Sequence, residues 1–524
     1  MKRITPETFL DYNFLSAPCL SPDGGRTAFV VKQADVKTNG YRSDLWLVCN
    51  KTGKTRRLTA QGDAGPFVWT REGKLLFSAP RGEKHAAAQA LCAPSTTYFE
   101  IDPDGGEAVP AFTLPVAGGA PRFLQNGKAA VVGRVDLNRP AFESMDEDAR
   151  KRAVEQYQKP GFHIIEEIPF WENGGTFSSR MRNALFLCDT AAETAQVLTE
   201  PYFTVDGVDV SGDRIVYSGV SYTDRLPEQG GLYLYENGET RALLPEGAYS
   251  VGAFRFLDGD TVIAALTPKG AHTYAMPDLY RVDLKDGALT KIADWDGSVG
   301  GASVASDARL GGGFGMKADG GKAYFVSTRE DEGVLFSVDR AGKVEEVNQN
   351  AGSIDSFDVQ NGEFVLCAMR GDRMAELYAF ENGAERRLTG LNDAFYEQYS
   401  VVTPEPTRFT ATDGFEIHGW VMPPVGYVKG EKHPCIFHIH GGPATVFGSV
   451  FHNEMQMWAN AGYFVIFCNP RGGDGRGLEF VDLYHKYGTV DYDNLMEFVD
   501  HCLARYPDID ETRLGVTGGS YGGF

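Results

Sequence analysis

The first 400 residues repeat one phrase, and that repetition restricts the fold more than any other feature of the chain. The phrase is an apolar-aromatic run, a turn with Gly and an acid or Asn, and a second run. Clear copies are Asp44-Leu45-Trp46-Leu47-Val48, Thr97-Tyr98-Phe99-Glu100-Ile101-Asp102, Ala184-Leu185-Phe186-Leu187-Cys188-Asp189 and Gly231-Leu232-Tyr233-Leu234-Tyr235. Asp278-Leu279-Tyr280, Val334-Leu335-Phe336 and Glu376-Leu377-Tyr378 open three more. Their second residues fall at 45, 98, 185, 232, 279, 335 and 377, which are 53, 87, 47, 47, 56 and 42 apart. Upstream of each comes a partner hairpin with an Asp/Asn-Gly turn, as at Asp23-Gly24, Asn126-Gly127 and Asn361-Gly362. Two hairpins make four strands, and a unit of about 40–50 residues is the size of a propeller blade. The expectation for residues 1–400 is therefore an all-β, seven-bladed β-propeller. Some copies also close on the same words, Arg57-Leu58-Thr59 and Arg387-Leu388-Thr389.

The gap of 87 holds an insertion at about 140–182, with a charged helical stretch at Glu143–Gln158 and then a segment from Phe162 to Gly175. A long loop in a compact repeat usually has a function of its own. Within it Glu166 and Glu167 are candidates for anchoring a cationic substrate terminus; the plainer reading is a solvated charged edge.

Val401-Val402-Thr403-Pro404-Glu405-Pro406-Thr407 reads as a linker, after which strands alternate with helices, the pattern of a mainly parallel sheet. Strands are expected at Thr407–Ala411, Phe415–Met422, Cys435–Ile439, Tyr463–Cys468 and Arg513–Thr517. A helix between the last two carries an apolar stripe of Leu495, Met496, Val499, Cys502 and Leu503 below an acidic start at Asp491 and Asp493. The final strand runs into Gly518-Gly519-Ser520-Tyr521-Gly522-Gly523, a Gly-x-Ser-x-Gly pattern. Such a pattern turns a strand sharply into a helix and leaves the serine hydroxyl clear of the sheet, as in the nucleophile elbow of α/β-hydrolases. Strand Cys435–Ile439 leads into His440-Gly441-Gly442-Pro443, where a glycine N–H is free to turn towards a developing oxyanion. In that fold one donor comes from this loop, here Gly441, and the other from the residue after the nucleophile, Tyr521. His440 itself reads as structural. Arg471, in the glycine-rich stretch Asn469–Gly477, is a candidate for meeting a substrate carbonyl or carboxylate, with packing against its own loop the alternative. No Lys-Ser/Thr follows those glycines, which excludes a phosphate loop.

At 524 residues the chain exceeds one ordinary domain. Its formal charge of −21, without blocks of like charge, disfavours nucleic acid and anionic membrane as partners. No window approaches 18 consecutive apolar residues, and no apolar stretch follows Met1-Lys2-Arg3. The eight cysteines stand singly, mostly within apolar runs, which points to a reducing cytoplasm. No cofactor and no metal are expected, and a homo-oligomer stays open.

His440-Gly441-Gly442-Pro443, Asn469-Pro470-Arg471-Gly472 and Gly518-Gly519-Ser520-Tyr521-Gly522-Gly523, in this order behind a propeller, resemble the prolyl oligopeptidase family of serine peptidases. The nearest likeness is to its acylaminoacyl-peptidase and dipeptidyl-peptidase-like branch. The resemblance implies Ser520 as nucleophile, the N–H groups of Gly441 and Tyr521 as oxyanion hole, and a propeller that admits only short peptides. Many relatives read Ser-x-Gly-Tyr-Gly after the Arg-Gly; here the loop is Gly473-Asp474-Gly475-Arg476-Gly477. In this fold Asp and His follow the serine, so residues 401–524 are expected to be the N-terminal part of an α/β-hydrolase domain lacking its C-terminal portion. The reading is a C-terminally truncated chain, inactive alone, whose last strand is an unpaired apolar edge. Two rivals stand beside it: a non-catalytic propeller platform with a remnant hydrolase domain, and an esterase.

Overall fold

The structure, a computed structural model, describes residues 1–524 except 173, 174, 312–314 and 382. Two of these positions, 173 and 174, fall inside the Phe162–Gly175 segment and lie outside the described residues. The chain divides into two compact units. The first contains 1–62, 271–279 and 291–524; the second contains 63–270 and 280–290. The boundary expected near residue 400 is a change of strand pattern: antiparallel meanders run as far as Arg387, and a mixed sheet starts at Glu405.

In the first unit, Phe14–Leu20, Arg26–Asp35, Gly40–Cys49 and Thr55–Arg57 form one four-stranded antiparallel meander. Ser353–Gln360, Glu363–Arg370, Arg373–Glu381 and Ala384–Arg387 form another. Asn361 and Gly362 join the first two of these strands with φ of 53° and 78°. Two successive positive φ values make the type I′ turn whose twist suits a hairpin, which is why the chain spends Asn-Gly there. Strands such as Thr27–Val31 and Val365–Met369 are buried throughout, on both faces, which explains why the apolar runs are nearly continuous. The first meander lies beside the last: Leu20 N–H donates to Asp358 (2.9 Å), and Phe14, Leu15 and Phe29 share a core with Val365, Cys367 and Leu377.

The repeated Arg-Leu-Thr ending has a mechanical role. Thr59 Oγ1 accepts from Leu45 N–H (3.0 Å) and donates to buried Asp44, which also accepts from Arg57 (2.5 Å) and Gly62 N–H (3.0 Å). Thr389 repeats this against Leu377 N–H (2.9 Å) and buried Glu376, whose other oxygen accepts from Asn392 N–H (2.8 Å). The threonine therefore staples the third strand of a meander to the stretch after its fourth.

The second unit contains Phe67–Trp69, Leu75–Ser78, Thr96–Ile101 and Val109–Leu114 as one meander, with the same pattern in Arg122–Phe123, Ala129–Asp136, Met181–Asp189 and Thr194–Val197. A third meander is Phe203–Ser211, Arg214–Ser221, Gly230–Glu236 and the first half of the long strand Glu239–Asp258, whose second half pairs onward with Thr261–Pro268. The insertion's helix is Glu147–Gln158, capped by Asp146, which accepts from Ala149 N–H at 2.9 Å.

The mixed sheet contains β1 (Glu405–Thr410), β2 (Glu416–Met422), β3 (His433–Ile439), β4 (Phe464–Asn469) and β5 (Ile509–Gly518), in the order β1-β2-β4-β3-β5. β3 runs parallel to β4 and β5, while β1 and β2 are antiparallel. Helices α1 (Asn453–Asn460), α2 (Leu478–Val481) and α3 (Val490–Arg505) connect the strands. Of the stripe expected on α3, Leu495 and Cys502 are buried, but Met496 is 44% exposed. Phe498 takes the core place, fully buried and packed on Gly419 of β2, where a Cβ would collide with its ring. β5 ends the sheet with β3 as its neighbour, and Leu514 and Val516 are exposed.

Candidate active site

Ser520 stands two residues beyond the end of β5, exposed, at the start of a single turn of 3-10 helix (Ser520–Gly523). Its φ is 55°, in the left-handed region that a non-glycine residue adopts only under constraint. The constraint is the end of β3. An added Cβ at Gly522 would strike the carbonyls of Ile439 and His440, and one at Gly518 would strike the carbonyls of Gly522 and Ile439. Both glycines of the pattern thus allow two backbones to touch, and the serine between them is held out.

On the other side of that contact is the His440–Pro443 loop. Ser520 Cβ lies 3.5 Å from where a Gly441 side chain would begin, so the structure places Gly441 against the serine. The Gly441 carbonyl accepts from Thr445 Oγ1 (2.5 Å) and lies 2.8 Å from His440 Nδ1, a contact that only a protonated Nδ1 can make as donor. A trans peptide sets N–H opposite to C=O, so this anchoring turns the Gly442 N–H to the opposite side of the loop. His440 is buried, with Nε2 lacking a hydrogen-bond partner, and burial pushes its pKa down. It is a neutral loop-holding residue, as its place in the sequence suggested. Burial also lowers the pKa of His438, where neighbouring His452 and His440 add to the effect, and of half-buried His452, whose Nδ1 lies 3.3 Å from Asp307.

Asn469, the first residue of the Asn-Pro-Arg-Gly motif, acquires a role in three dimensions. Its amide accepts from Phe447 N–H (2.7 Å) and donates to Phe447 O (2.9 Å), clamping the loop after Pro443 onto the end of β4. Asp474, buried in the same glycine-rich stretch, accepts from Ser303 Oγ at 2.7 Å. Arg471 lies over Phe415 (4.6 Å) and reaches Asp413 at 3.5 Å, with its side chain 12% exposed, so it packs against neighbouring loops.

Tyr521 buries part of its ring near Tyr487 (centroids 6.0 Å apart) and stacks on Phe524 (6.5 Å). Its hydroxyl donates to Asp491 at the start of α3; burial and that carboxylate keep the phenol pKa far above its ordinary value. Tyr487 in turn hydrogen-bonds Tyr274. Among the described residues, no histidine or carboxylate hydrogen-bonds the Ser520 hydroxyl.

Glu166 and Glu167 belong to the second unit. Glu167 is internal, and its two oxygens meet Arg182 at 2.6 and 3.1 Å, both side chains fully buried. It is neither a solvated edge nor a free anion. Glu166 is exposed and pairs with Arg180 at 2.7 Å. Among the described residues, Glu330, Asp331 and His418 bring three possible metal-ligand atoms within 4.8 Å of one another; His418 turns Nδ1 toward Asp331 (3.7 Å) and Glu330 (4.0 Å), while its Nε2 meets Glu416 (3.1 Å). The eight cysteines are free thiols, and no helix among the described residues is long and apolar enough to cross a membrane.

Residues 449–524 match the model of the prolyl oligopeptidase family. An uncharacterized peptidase, YuxL, of Bacillus subtilis (strain 168) is 27% identical over 100% of this chain and 79% of its own length. A dipeptidyl-peptidase 5 of Porphyromonas gingivalis is 23% identical over 100% of this chain and 76% of its own. Among solved structures, Pyrococcus horikoshii acylaminoacyl peptidase superposes with a TM-score of 0.78 at 23% identity, covering 100% of this chain and 76% of that one. A Mycobacterium tuberculosis puromycin-hydrolyzing peptidase superposes with a TM-score of 0.65 at 15% identity, over 98% and 75%. The resemblance carried by the three motifs is thereby shown, and the likeness of fold extends through the meanders as well as the mixed sheet.

Proposed function

We propose that this chain of the prolyl oligopeptidase family is a serine peptidase that hydrolyses short peptides through an acyl-enzyme on Ser520. The observation that carries the reading is the exposed serine at φ 55°, wedged out by glycine contacts with β3 and faced by the His440–Pro443 loop. The Ser520 hydroxyl attacks the scissile carbonyl, its proton passing to a base that the described residues do not hold beside it. The backbone N–H groups of Gly441 and Tyr521 receive the oxyanion, and collapse to the acyl-enzyme breaks the C–N bond and releases the amine, which takes up that proton. The successive meanders support a seven-bladed propeller acting as a size filter. Glu166, the more accessible of the glutamate pair, is the candidate anchor for a cationic terminus; Arg471 could meet a substrate carbonyl or carboxylate only by leaving Phe415 and Asp413, against which it packs. A serine without a base is a weak nucleophile, so residues 1–524 by themselves are proposed to be nearly inert. A fluorophosphonate probe tests both halves. The natural full-length protein should label at Ser520 and lose labelling in Ser520→Ala, while a preparation of residues 1–524 should label slowly. Failure of the full-length protein to label at Ser520 sinks the peptidase reading; rapid labelling of residues 1–524 sinks the inertness.

A further inference from the structure

We infer that Asp491 is a positioning residue for the reaction at Ser520: by holding the Tyr521 hydroxyl, it sets the direction of the peptide N–H that follows the nucleophile. The inference rests on the reading of Ser520 as nucleophile. Asp491 is 2% exposed and sits in the first turn of α3. One of its oxygens accepts from Thr489 N–H (2.9 Å), the other from Gly488 N–H (3.2 Å) and from Tyr521. A carboxylate tied at two points to the backbone that opens a 16-residue helix is a rigid point of attachment.

What it holds needs holding. The segment after Ser520 is one short turn, secured by Gly522 N–H on Gly519 O (2.9 Å) and Phe524 N–H on Tyr521 O (3.0 Å). Its first residue is in a strained conformation. Ring contacts with Tyr487 and Phe524 are non-directional and would suit a phenylalanine equally well. The hydrogen bond of the hydroxyl to Asp491 is the directional contact of this side chain, and it restrains the Cα from which the Tyr521 N–H extends. Helix capping does not require Tyr521, because Gly488 and Thr489 already occupy both oxygens.

A double-mutant cycle on kcat in the natural full-length protein, with an aminoacyl-anilide substrate, tests this. Loss of a whole oxyanion donor costs about 10²–10³ in kcat; a tilted donor should cost about tenfold. Asp491→Ala and Tyr521→Phe should each lower kcat by about that factor with KM little changed, and Asp491→Ala added to Tyr521→Phe should cost nothing further. Tyr521→Phe keeps the ring, so it reports even if Asp491→Ala folds poorly. Unchanged kcat in Tyr521→Phe, or losses that multiply, overturns the inference. Ser520→Ala separates the two levels. If it is inactive while the losses multiply, only the positioning role falls; if it retains activity, the nucleophile reading falls and takes this inference with it.

Discussion

Glu167→Ala should be among the most damaging single substitutions in the second unit, although no catalytic step uses the residue. Arg182 is fully buried and spends its donors on Glu167 (2.6 and 3.1 Å), Tyr202 O (3.1 Å), Met181 O (2.9 Å) and Tyr222 O (2.9 Å), with its plane over the Tyr222 ring. Removing the carboxylate strands that guanidinium in a medium that solvates charge poorly. Breaking such a pair from one side costs about 3–5 kcal/mol. For a unit of this size each kcal/mol moves the midpoint by about 2–4 °C, so the transition of the second unit should fall by about 6–20 °C. Differential scanning calorimetry of the wild type, Glu167→Ala and the double variant Glu167→Leu/Arg182→Met reads this directly. The double variant should recover most of the loss, because a buried pair replaced by apolar groups of similar volume is often neutral. Burial raises the Glu167 pKa, but hydrogen bonds from Arg182 and Arg180 N–H overcome that and leave it below the usual carboxylate value. Its contribution is therefore full above the unfolded pKa of about 4.3 and is lost as pH falls through the lower folded value. The gap between wild type and Glu167→Ala should accordingly narrow in acid. A loss under about 1 kcal/mol, or a double variant as unstable as the single one, refutes the reasoning, since both require that unpaired charge carries the cost.

Three further outcomes follow from the first unit. His438 has its pKa pushed down to about 3 by burial and by neighbouring His452 and His440. Stability should therefore be complete above the unfolded histidine value of about 6.5 and decline below it, by ~2 kcal/mol for this residue at pH 5; His438→Phe should flatten urea midpoints measured across that range, and an unchanged slope would contradict the assignment. Gly522→Ala places a methyl group against the Ile439 and His440 carbonyls, and should abolish fluorophosphonate labelling of the full-length protein; near-normal labelling would mean that this backbone contact does not build the elbow. Gly419→Ala drives a Cβ into the Phe498 ring, an overpacking that should cost about 1–3 kcal/mol, and Phe498→Leu in the same chain should relieve part of it in chemical denaturation.

Features governed by short-range rules were legible in the sequence. The strands of the mixed sheet begin and end within a few residues of where apolar runs and turn residues placed them, the Asn361-Gly362 turn follows from its dipeptide, and the elbow follows from Gly-x-Ser-x-Gly. The rest depends on partners that only the fold brings together. Helical spacing ranked Met496 with the core, yet it is Gly419, 79 positions before Phe498, that opens the space Phe498 fills. Glu167 looked like half of an acidic pair, and its burial depends on Arg182 meeting it across the insertion. Asn469 reads as a turn residue, and only the fold reveals that both ends of its amide grip Phe447. Likewise, nothing in the sequence near Asp491 indicates that its oxygen waits for Tyr521.

The threonine staples bear on how the molecule comes apart. Thr59 closes on Leu45 across 14 positions, and Thr389 on Leu377 across 12, so each fastening lies entirely within its own meander. A fastening that spans so little chain can release and re-form without waiting for distant segments. In hydrogen-exchange measurements the Leu45 and Leu377 amides should thus report breathing of single meanders, well below the energy of global unfolding. The contact of Phe14–Leu20 with Ser353–Gln360 joins opposite ends of the meander series, so amides at that seam should yield only when far larger stretches of chain let go together.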